Sequence, residues 1–461
     1  MRKLDQSVFY EFKQEVGTLR MRFEETAEEY LSRIPMWTKK KNSLEVIRKF
    51  LEEMGNPDET MRIIHVAGTN GKGSVCAFLQ SVFLSAGYKV GTFTSPHLIE
   101  IRERFCVNGE MVSESDFSDS YRTVKALSER MMELGYSHPS YFEFLFYMAM
   151  DLFQKSNVEL VILEVGLGGR LDTTNVIRRP LVSVITSVSL DHTEYLGDTV
   201  EKIAFEKAGI IKKKIPVVFD GNQQNVSEVI RKRAVEQEAP YYETDRQCYR
   251  ITGSENNCFH AEFTGIKGDV YKAVIPSPAE YQVMNALLAL RAAEVSGLLE
   301  DMEPERAKAQ IREGFLGMRW PARMEEVQPG VFLDGAHNPG GIEEFVKTAS
   351  NLCAVRKKRA NLLFSAVSDK NYHDMIRIIA AGLPLHEVAV THIDSDRGTE
   401  TEAVFHEFEE AVNCRITGFQ NAEDALLYML HNQDEDHLLF CAGSLYLMGE
   451  IKTVLRRNGY D

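Results

Sequence analysis

In Met61–Ser74, MRIIHVAGTNGKGS, an apolar run breaks into a glycine loop with a single lysine and then opens an apolar-periodic helix. Few arrangements accept that order. The β-rich stretch Ile63–Ala67 predicts a buried parallel strand, and Ser74–Ala86 predicts a helix. Between them Gly68, Gly71 and Gly73 let the backbone approach an anion closely, and Lys72 adds a point charge. The helix aims free N–H groups and its positive dipole end at the same spot. The loop differs from the common phosphate-binding pattern in having three residues rather than five between Gly68 and Lys72, and a glycine between Lys72 and Ser74. Taken alone it fits either a nucleotide cradle or a plain tight turn.

The surrounding chain repeats the alternation of strand and helix. Strand-like Lys89–Thr94, Glu159–Val165, Leu181–Val188 and Pro216–Phe219 are interleaved with helix-like Ser140–Gln154 and Val200–Ile211, the pattern of a doubly wound parallel sheet. From about 240 to 278 the helical period disappears, and runs such as YYETD and YKAVIP predict a small antiparallel accessory sheet, followed by a helix over Ala279–Val295. Pro304, Gly314, Gly317 and Pro321 mark 298–322 as an interdomain connection. A second alternating series begins near Val331 and needs a sheet of its own. The expected fold is α/β: an N-terminal P-loop-type doubly wound domain with a small accessory β-sheet, residues 1–314, and a C-terminal Rossmann-like α/β domain, residues 315–461.

The formal charge of −15 argues against a nucleic-acid or anionic-membrane partner, while leaving room for local anion pockets. The start, MRKLDQSVFYEF, lacks the apolar stretch of a leader, and no internal run approaches the roughly 18–20 apolar residues of a membrane span, so a cytoplasmic protein is expected. Tyr141–Phe153, the densest apolar segment, is interrupted by Glu143 and Asp151 and predicts a buried amphipathic helix. Seven cysteines without a Cys-x-x-Cys pair read as reduced, mostly buried thiols.

Polar residues gather just after the predicted strands, where open parallel sheets bind ligands beyond the strand carboxyl ends. Thr94–Ser95–Pro96–His97 follows one strand, Glu164 through Asp172 a second, and Asp191–His192 a third. Any one of these fits ordinary turn chemistry; jointly they point to a site. Glu164 ends VELVILE, placed to hold Mg²⁺ near the glycine loop or to pair with a loop arginine. Ser95 offers an oxygen ligand or, before Pro96, a turn element. Mg²⁺ prefers oxygen, so His192 reads from chemistry alone as a hydrogen-bonding or acid–base group. On spacing alone, Lys207 reads as a lysine on a solvated face, paired with Glu206 or Glu201.

In the second half, Asp334-Gly-Ala-His337-Asn338-Pro339-Gly340 presents a carboxylate and an imidazole between a strand and a helix. An Asx turn with a helix cap accounts for Asp or Asn there, but not for His337. Arg323, in RWPARMEE, is placed to reach a phosphate from the domain junction, and Gly443–Ser444 offers a further loop before a helix.

Together these segments resemble the folylpolyglutamate synthase and dihydrofolate synthase branch of the Mur ligases. The resemblance rests on HVAGTNGKGSV, TSPHL with ERFCVNG, YFEFLF, EVGLGGRLDTTN, LDHTEYLGDTVEKIAFEKAGIIK, QVMNALLAL, DGAHNPGG and GSLYLMGE, in family order over about residues 45–450. It implies a Mur-ligase central-type ATPase domain, a C-terminal glutamate-binding domain, and an ATP-dependent amide ligase. That enzyme adds L-glutamate to tetrahydrofolate, and to dihydropteroate, through an acyl phosphate. Under the resemblance Asn70, Gly71, Lys72, Gly73 and Ser74 cradle the ATP phosphates, and Asn285, Arg323 and Asp334 help bind ATP. Ser95, Glu164 and His192 coordinate Mg²⁺, and Lys207 carries a CO₂-derived carbamate beside it. Ser140, Phe142 and Asp172 fall at pterin-side positions, and His337 and Ser444 where the incoming glutamate is expected; Lys72, Lys207, His192 and His337 make up the catalytic set. A monovalent cation is a further expected cofactor, and the expected assembly is a monomer. The other readings are a different Mur-type amino-acid ligase and a stand-alone ATPase or kinase. The sequence departs from the family pattern at Ala322, where glycine often precedes the arginine, and at Tyr281, where histidine often precedes the glutamine.

Overall fold

The computed structural model describes residues 25–35, 42–395 and 398–459, so the N-terminal run MRKLDQSVFYEF lies outside the described residues. The first eight strands are β1 (Arg62–Ala67), β2 (Val90–Phe93), β3 (Phe105–Val107), β4 (Glu110–Met111), β5 (Leu160–Glu164), β6 (Val182–Ile185), β7 (Val217–Asp220) and β8 (Tyr241–Thr244). They form one sheet in the order β4-β3-β2-β5-β1-β6-β7-β8, antiparallel only where β3 and β4 extend one edge. The glycine-loop strand β1 is central, and Ile63–Ala67 are all buried because helices cover both faces of the sheet. Its side chains alternate: Ile64 and Val66 enter a core with Phe78 and Leu287, whereas Ile63 enters the opposite core with Phe144 and Phe117. The β1/β5 register sets Val66 opposite Glu164, so both strands deliver their last residues to the same end of the sheet.

Two expectations about the elements themselves need correction. YYETD is not part of the accessory sheet; it is β8, parallel to β7 at the edge of the large one. The helix Gln224–Glu236 supplies the crossover that a parallel neighbour requires, which a reading of strand-like runs alone does not reveal. The accessory sheet consists of β9 (Tyr249–Glu255), β10 (Cys258–Thr264) and β11 (Val270–Ile275), all antiparallel. Asn256 and Asn257, at φ +49° and +57°, make the β9–β10 hairpin turn.

The second correction concerns 298–322. Most of that stretch is a helix, Pro304–Gly317, with Pro304 in its first turn and Glu303 accepting from the Arg306 N–H at 3.0 Å. Gly314 is a point of close approach rather than a breaker, since a Cβ there would lie 2.5 Å from Val82 Cα. Phe315 packs edge-on against Phe78 at 5.3 Å between ring centroids. The division expected between 314 and 315 falls inside this helix, and 318–322 is the non-helical stretch between it and β12 (Arg323–Gln328). Gly314→Leu is accordingly expected to lower stability by about 1–3 kcal/mol through overpacking. Chemical denaturation checks it: an unchanged midpoint would mean that the helix does not seat on Val82.

The C-terminal sheet contains β12 (Arg323–Gln328), β13 (Val331–Asp334), β14 (Arg359–Phe364), β15 (Leu385–Thr391), β16 (Arg415–Phe419) and β17 (His437–Ala442), in the order β12-β13-β17-β14-β15-β16. Only β12 runs antiparallel. Helices Pro339–Arg356, Tyr372–Gly382 and Thr401–Ala411 bury one face, with Phe345, Ile376 and Phe408 in its core; Ala422–His431 and Leu445–Arg457 bury the other.

The helix Tyr141–Lys155 is buried all round rather than on one stripe, Glu143 and Asp151 included. Glu143 takes hydrogen bonds from the Ser140 N–H and from Asn42, and Asp151 pairs with Lys155. All seven cysteines are unpaired, but only Cys76, Cys353 and Cys441 are buried, fewer than expected. Among the described residues no helix is long and apolar enough to cross a membrane.

Candidate active site

The loops after β1, β2, β5 and β6 face the turn after β13 across a cavity of about 490 Å³ between the two sheets. Every residue given a site role from the sequence lines it.

At the cavity's centre the helix after the glycine loop starts at Lys72, two residues earlier than expected, with Gly71 as its left-handed cap at φ +87°. The N–H groups of Lys72, Gly73 and Ser74 therefore occupy the first turn and have no acceptor within the helix. Lys72 Nζ donates to the Thr69 carbonyl at 3.1 Å and lies 3.9 Å from Glu164 Oε1. Asn285 donates to Gln282 at 3.0 Å, and Gln282 donates to Ser74 Oγ at 3.1 Å, so the helix Tyr281–Val295 braces the loop.

Glu164 is 3% exposed. Burial pushes its carboxyl up, opposed by Lys72 and by the Ser95 N–H, which donates to Oε2 at 3.0 Å. Its charged neighbour is thus the loop lysine, not a loop arginine; Arg170 pairs with Glu206 at 2.8 Å. That pairing also removes one partner assumed for Lys207, while Glu201 is engaged by Asn225. Lys207 is not on a solvated face. It shares the buried face of its helix with Ile203 and Ala204, is 3% exposed, and donates to the Gly68 carbonyl at 2.7 Å. Burial, reinforced by Lys72, brings its amine down to about 7.

His192 adopts a left-handed backbone at φ +48° and caps the short helix Thr193–Leu196. Burial holds its imidazole down at about 4, so the ring is neutral, with Nε2 3.2 Å from Lys370 Nζ. Lys370 also pairs with Asp191. Burial opposes ionisation of Asp191, but Lys370, His337 and His192 outweigh it and hold the carboxyl well below its ordinary range. The sequence reading passed over Lys370, although it lies in SAVSDKNYH, directly after β14, where the strand-end rule would have found it. Arg104, whose Nε donates to His97 Nδ1 at 2.9 Å, is a second buried cation in the lining that was passed over. Asp220, Asn222, Arg246 and Tyr249 also line the cavity and belong to no motif legible in the sequence.

On the C-terminal side, His337 Nδ1 bonds the Gly335 carbonyl at 2.7 Å, which leaves Nε2 as the acceptor of a neutral ring; burial lowers it to about 4. Asp334 is buried and fully occupied, accepting from Tyr281 Oη at 2.9 Å, Met324 N–H at 2.9 Å and Ala336 N–H at 2.8 Å. Tyr281, one of the two departures from the family pattern, thus contributes a bond to Asp334. Arg323 Nη1 donates to the Ala322 carbonyl at 2.7 Å.

Several positions also carry structural bonds. Ser444 caps the helix Leu445–Arg457 through the Tyr446 N–H at 3.1 Å. Ser140 caps the helix that begins at Tyr141. Asp172 accepts from Thr174 N–H at 3.0 Å and from Leu167 N–H at 2.9 Å. Phe142 lies over Gly166, where a Cβ would fall 2.6 Å from its ring.

The combination of a helix start that no side chain caps, Lys72, Arg323 and Lys370 suits a polyphosphate. A buried carboxylate, two neutral imidazoles and a near-neutral amine lie in the same cavity. Among the described residues no three His, Cys, Asp or Glu side chains converge closely enough to hold a metal unaided. Glu164 and Ser95 nevertheless suit Mg²⁺, which takes one or two protein oxygens and completes its shell with water and phosphate.

Residues 66–293 match the Mur ligase middle domain, and residues 322–445 match the Mur ligase glutamate ligase domain. A dihydrofolate synthase/folylpolyglutamate synthase of Bacillus subtilis is 33% identical over 418 residues, covering 89% of this chain and 94% of that protein. A Mycobacterium tuberculosis folylpolyglutamate synthase complexed with ADP superposes with a TM-score of 0.84 at 28% identity, covering 93% of this chain and 97% of that one. An E. coli structure in complex with DHPP and ADP gives a TM-score of 0.82 at 26% identity, covering 95% and 99%.

Proposed function

This chain belongs to the folylpolyglutamate synthase and dihydrofolate synthase family of Mur ligases and is an ATP-dependent ligase, and from that premise we propose that it joins L-glutamate both to tetrahydrofolate and to dihydropteroate. The observation that carries the reading is the single cavity in which Lys72, Glu164 and Lys207 of one domain face His337 and Ser444 of the other. The division between the domains is assigned to the connection 318–322.

A carboxylate is a poor electrophile, so the acid first takes the γ-phosphoryl group of ATP, forming an acyl phosphate and releasing ADP. The amine of glutamate then attacks the acyl carbon, phosphate leaves, and the amine's proton passes to solvent. Lys72 and the first-turn N–H groups of Lys72, Gly73 and Ser74 stabilise charge on the moving phosphoryl group. Asn70, Gly71, Asn285, Arg323 and Asp334 shape the nucleotide site, with Asp334 acting by fixing the Arg323 strand rather than by offering a free carboxylate. Mg²⁺ would be held by Glu164, Ser95 and His192 and would supply neutralisation of phosphate charge. Nε2 of His337 accepts from the glutamate amine, and Ser444, which lines the same cavity, helps hold glutamate. Ser140, Phe142 and Asp172 border the pterin end. Under the same reading the enzyme works as a cytoplasmic monomer, with a monovalent cation as an additional cofactor.

ATP turnover is expected to require both the acid and glutamate. Product mass and phosphate release, measured with each substrate omitted in turn and with both omitted, check this. Full phosphate release with both the acid and glutamate omitted would favour a stand-alone ATPase. With dihydropteroate and tetrahydrofolate supplied separately, conversion of only one would remove the other half of the bifunctional assignment.

A further inference from the structure

Asn338 does more than cap its helix. Its Oδ1 accepts from the Gly341 N–H at 2.8 Å, which is the expected capping bond. Its Nδ2 donates across the domain boundary to Asp191 Oδ2 at 3.1 Å and to Asn70 Oδ1 at 3.0 Å, and Asn70 Nδ2 returns a bond to Asn338 Oδ1 at 3.1 Å. A backbone N–H can only donate and a carboxylate can only accept, so the orientation of this amide is fixed by its partners. Asn338 is 1% exposed. The approach is close on both sides: a Cβ on Gly340 would fall 2.9 Å from the Ser189 side chain. The Asn70 carbonyl is itself held by Thr186 Oγ1 at 2.6 Å, so this segment of the glycine loop is anchored within its own domain.

One amide therefore joins the phosphate loop, the residue before His192 and the residue after His337. We propose that Asn338 is a positioning residue for ligation: its donation to Asn70 and Asp191 sets the register in which the His337 turn meets the acyl phosphate. This rests on the ligase reading above. Loss of these donors leaves each domain intact but lets the two halves of the site drift, and a displacement of about 1 Å in a reacting assembly costs about a hundredfold in rate.

Asn338→Asp isolates the effect. A carboxylate caps a helix as well as an amide does, so the Gly341 bond is kept. Both interdomain donors are lost, and two carboxylates are set against each other at Asp191. The expected result is a cooperatively folded protein whose thermal midpoint is lowered by the buried pair of carboxylates, ADP affinity close to that of the unaltered protein, and amide formation slowed about a hundredfold. Hydrogen exchange at residues 187–192 and 338–344 is expected to rise. Adding Asp191→Asn returns a donor to the junction and is expected to recover about tenfold in rate, the scale of coupling between neighbouring polar groups. Unchanged exchange in Asn338→Asp, or a double variant no faster than the single, would overturn the assignment. Exchange reads the junction whichever acid is ligated, whereas absence of product from the unaltered enzyme would count against the ligase reading instead.

Discussion

Lys72→Ala is expected to slow turnover by about 10²–10³-fold, the scale of removing one preorganised donor from a site of developing charge. The side chain is only 17% exposed, and its nearest anion is Glu164 at 3.9 Å. Its loss therefore has a second, pH-dependent effect. Burial already pushes the Glu164 carboxyl up, and Lys72 is the main influence drawing it back. Without Lys72 it rises further. A carboxyl raised above its unfolded value binds its proton more tightly when folded, so its favourable contribution is present at low pH and lost as pH rises through the folded value. Lys72→Ala should therefore lose more stability as pH rises, as the buried Glu164 carboxyl gives up its proton, than at low pH. Glu164→Gln separates the two roles: it removes the buried carboxylate, so the pH dependence of stability traced to it disappears, while Mg²⁺-dependent turnover is lost. Steady-state rates and melting curves across pH check both variants. Wild-type rates at low Mg²⁺ in either would sink the assigned roles.

Loss of Lys207 is the other large effect. Lys207→Ala is expected to abolish ligation, and a short carboxylic acid should restore part of it by placing a carboxylate where the proposed carbamate would stand. The amine must be neutral to attack CO₂; an N–C bond then forms and a proton is released. An ordinary lysine near 10.4 leaves roughly one amine in 2,500 neutral at pH 7. Lys207, brought down to about 7 by burial and by Lys72, is about half neutral there. Carbamate formation should consequently rise with pH through that value and with added bicarbonate. Isotopically labelled bicarbonate followed by carbon NMR reads the adduct directly. An unmodified ammonium in an active, nucleotide-bound crystal at neutral pH would remove the carbamate. Normal kcat in Lys207→Met would remove the residue from catalysis altogether.

The contrast between these two lysines shows where the sequence could be read and where it could not. Lys72 announces itself because strand, glycine loop and helix start lie within one short segment, and local stereochemistry alone dictates how such a strand turns into its helix. Lys207 sits in IAFEKAGIIKKK, where spacing favours a solvated ion pair. Its burial depends on how that helix lies against the large sheet and on Arg170 taking Glu206 away. YYETD failed for a related reason: strand propensity shows that a segment is extended, but not which sheet receives it. Gly314 and Pro304 look like punctuation, yet one permits contact with Val82 and the other starts a helix.

Legible in the sequence alone were the strand, glycine loop and helix start at Met61–Ser74, the α/β alternation and, through motif order, the family. Each of these is carried by residues close together in the chain. Tertiary structure alone decided what depends on separation from water and on partners far apart: that Glu164 faces Lys72, that Lys207 is buried, and that Lys370 pairs with Asp191. The meeting of Asn70 with Asn338 spans 268 positions of sequence. No local pattern encodes it, because the free energy of a buried polar contact is set by everything packed around it.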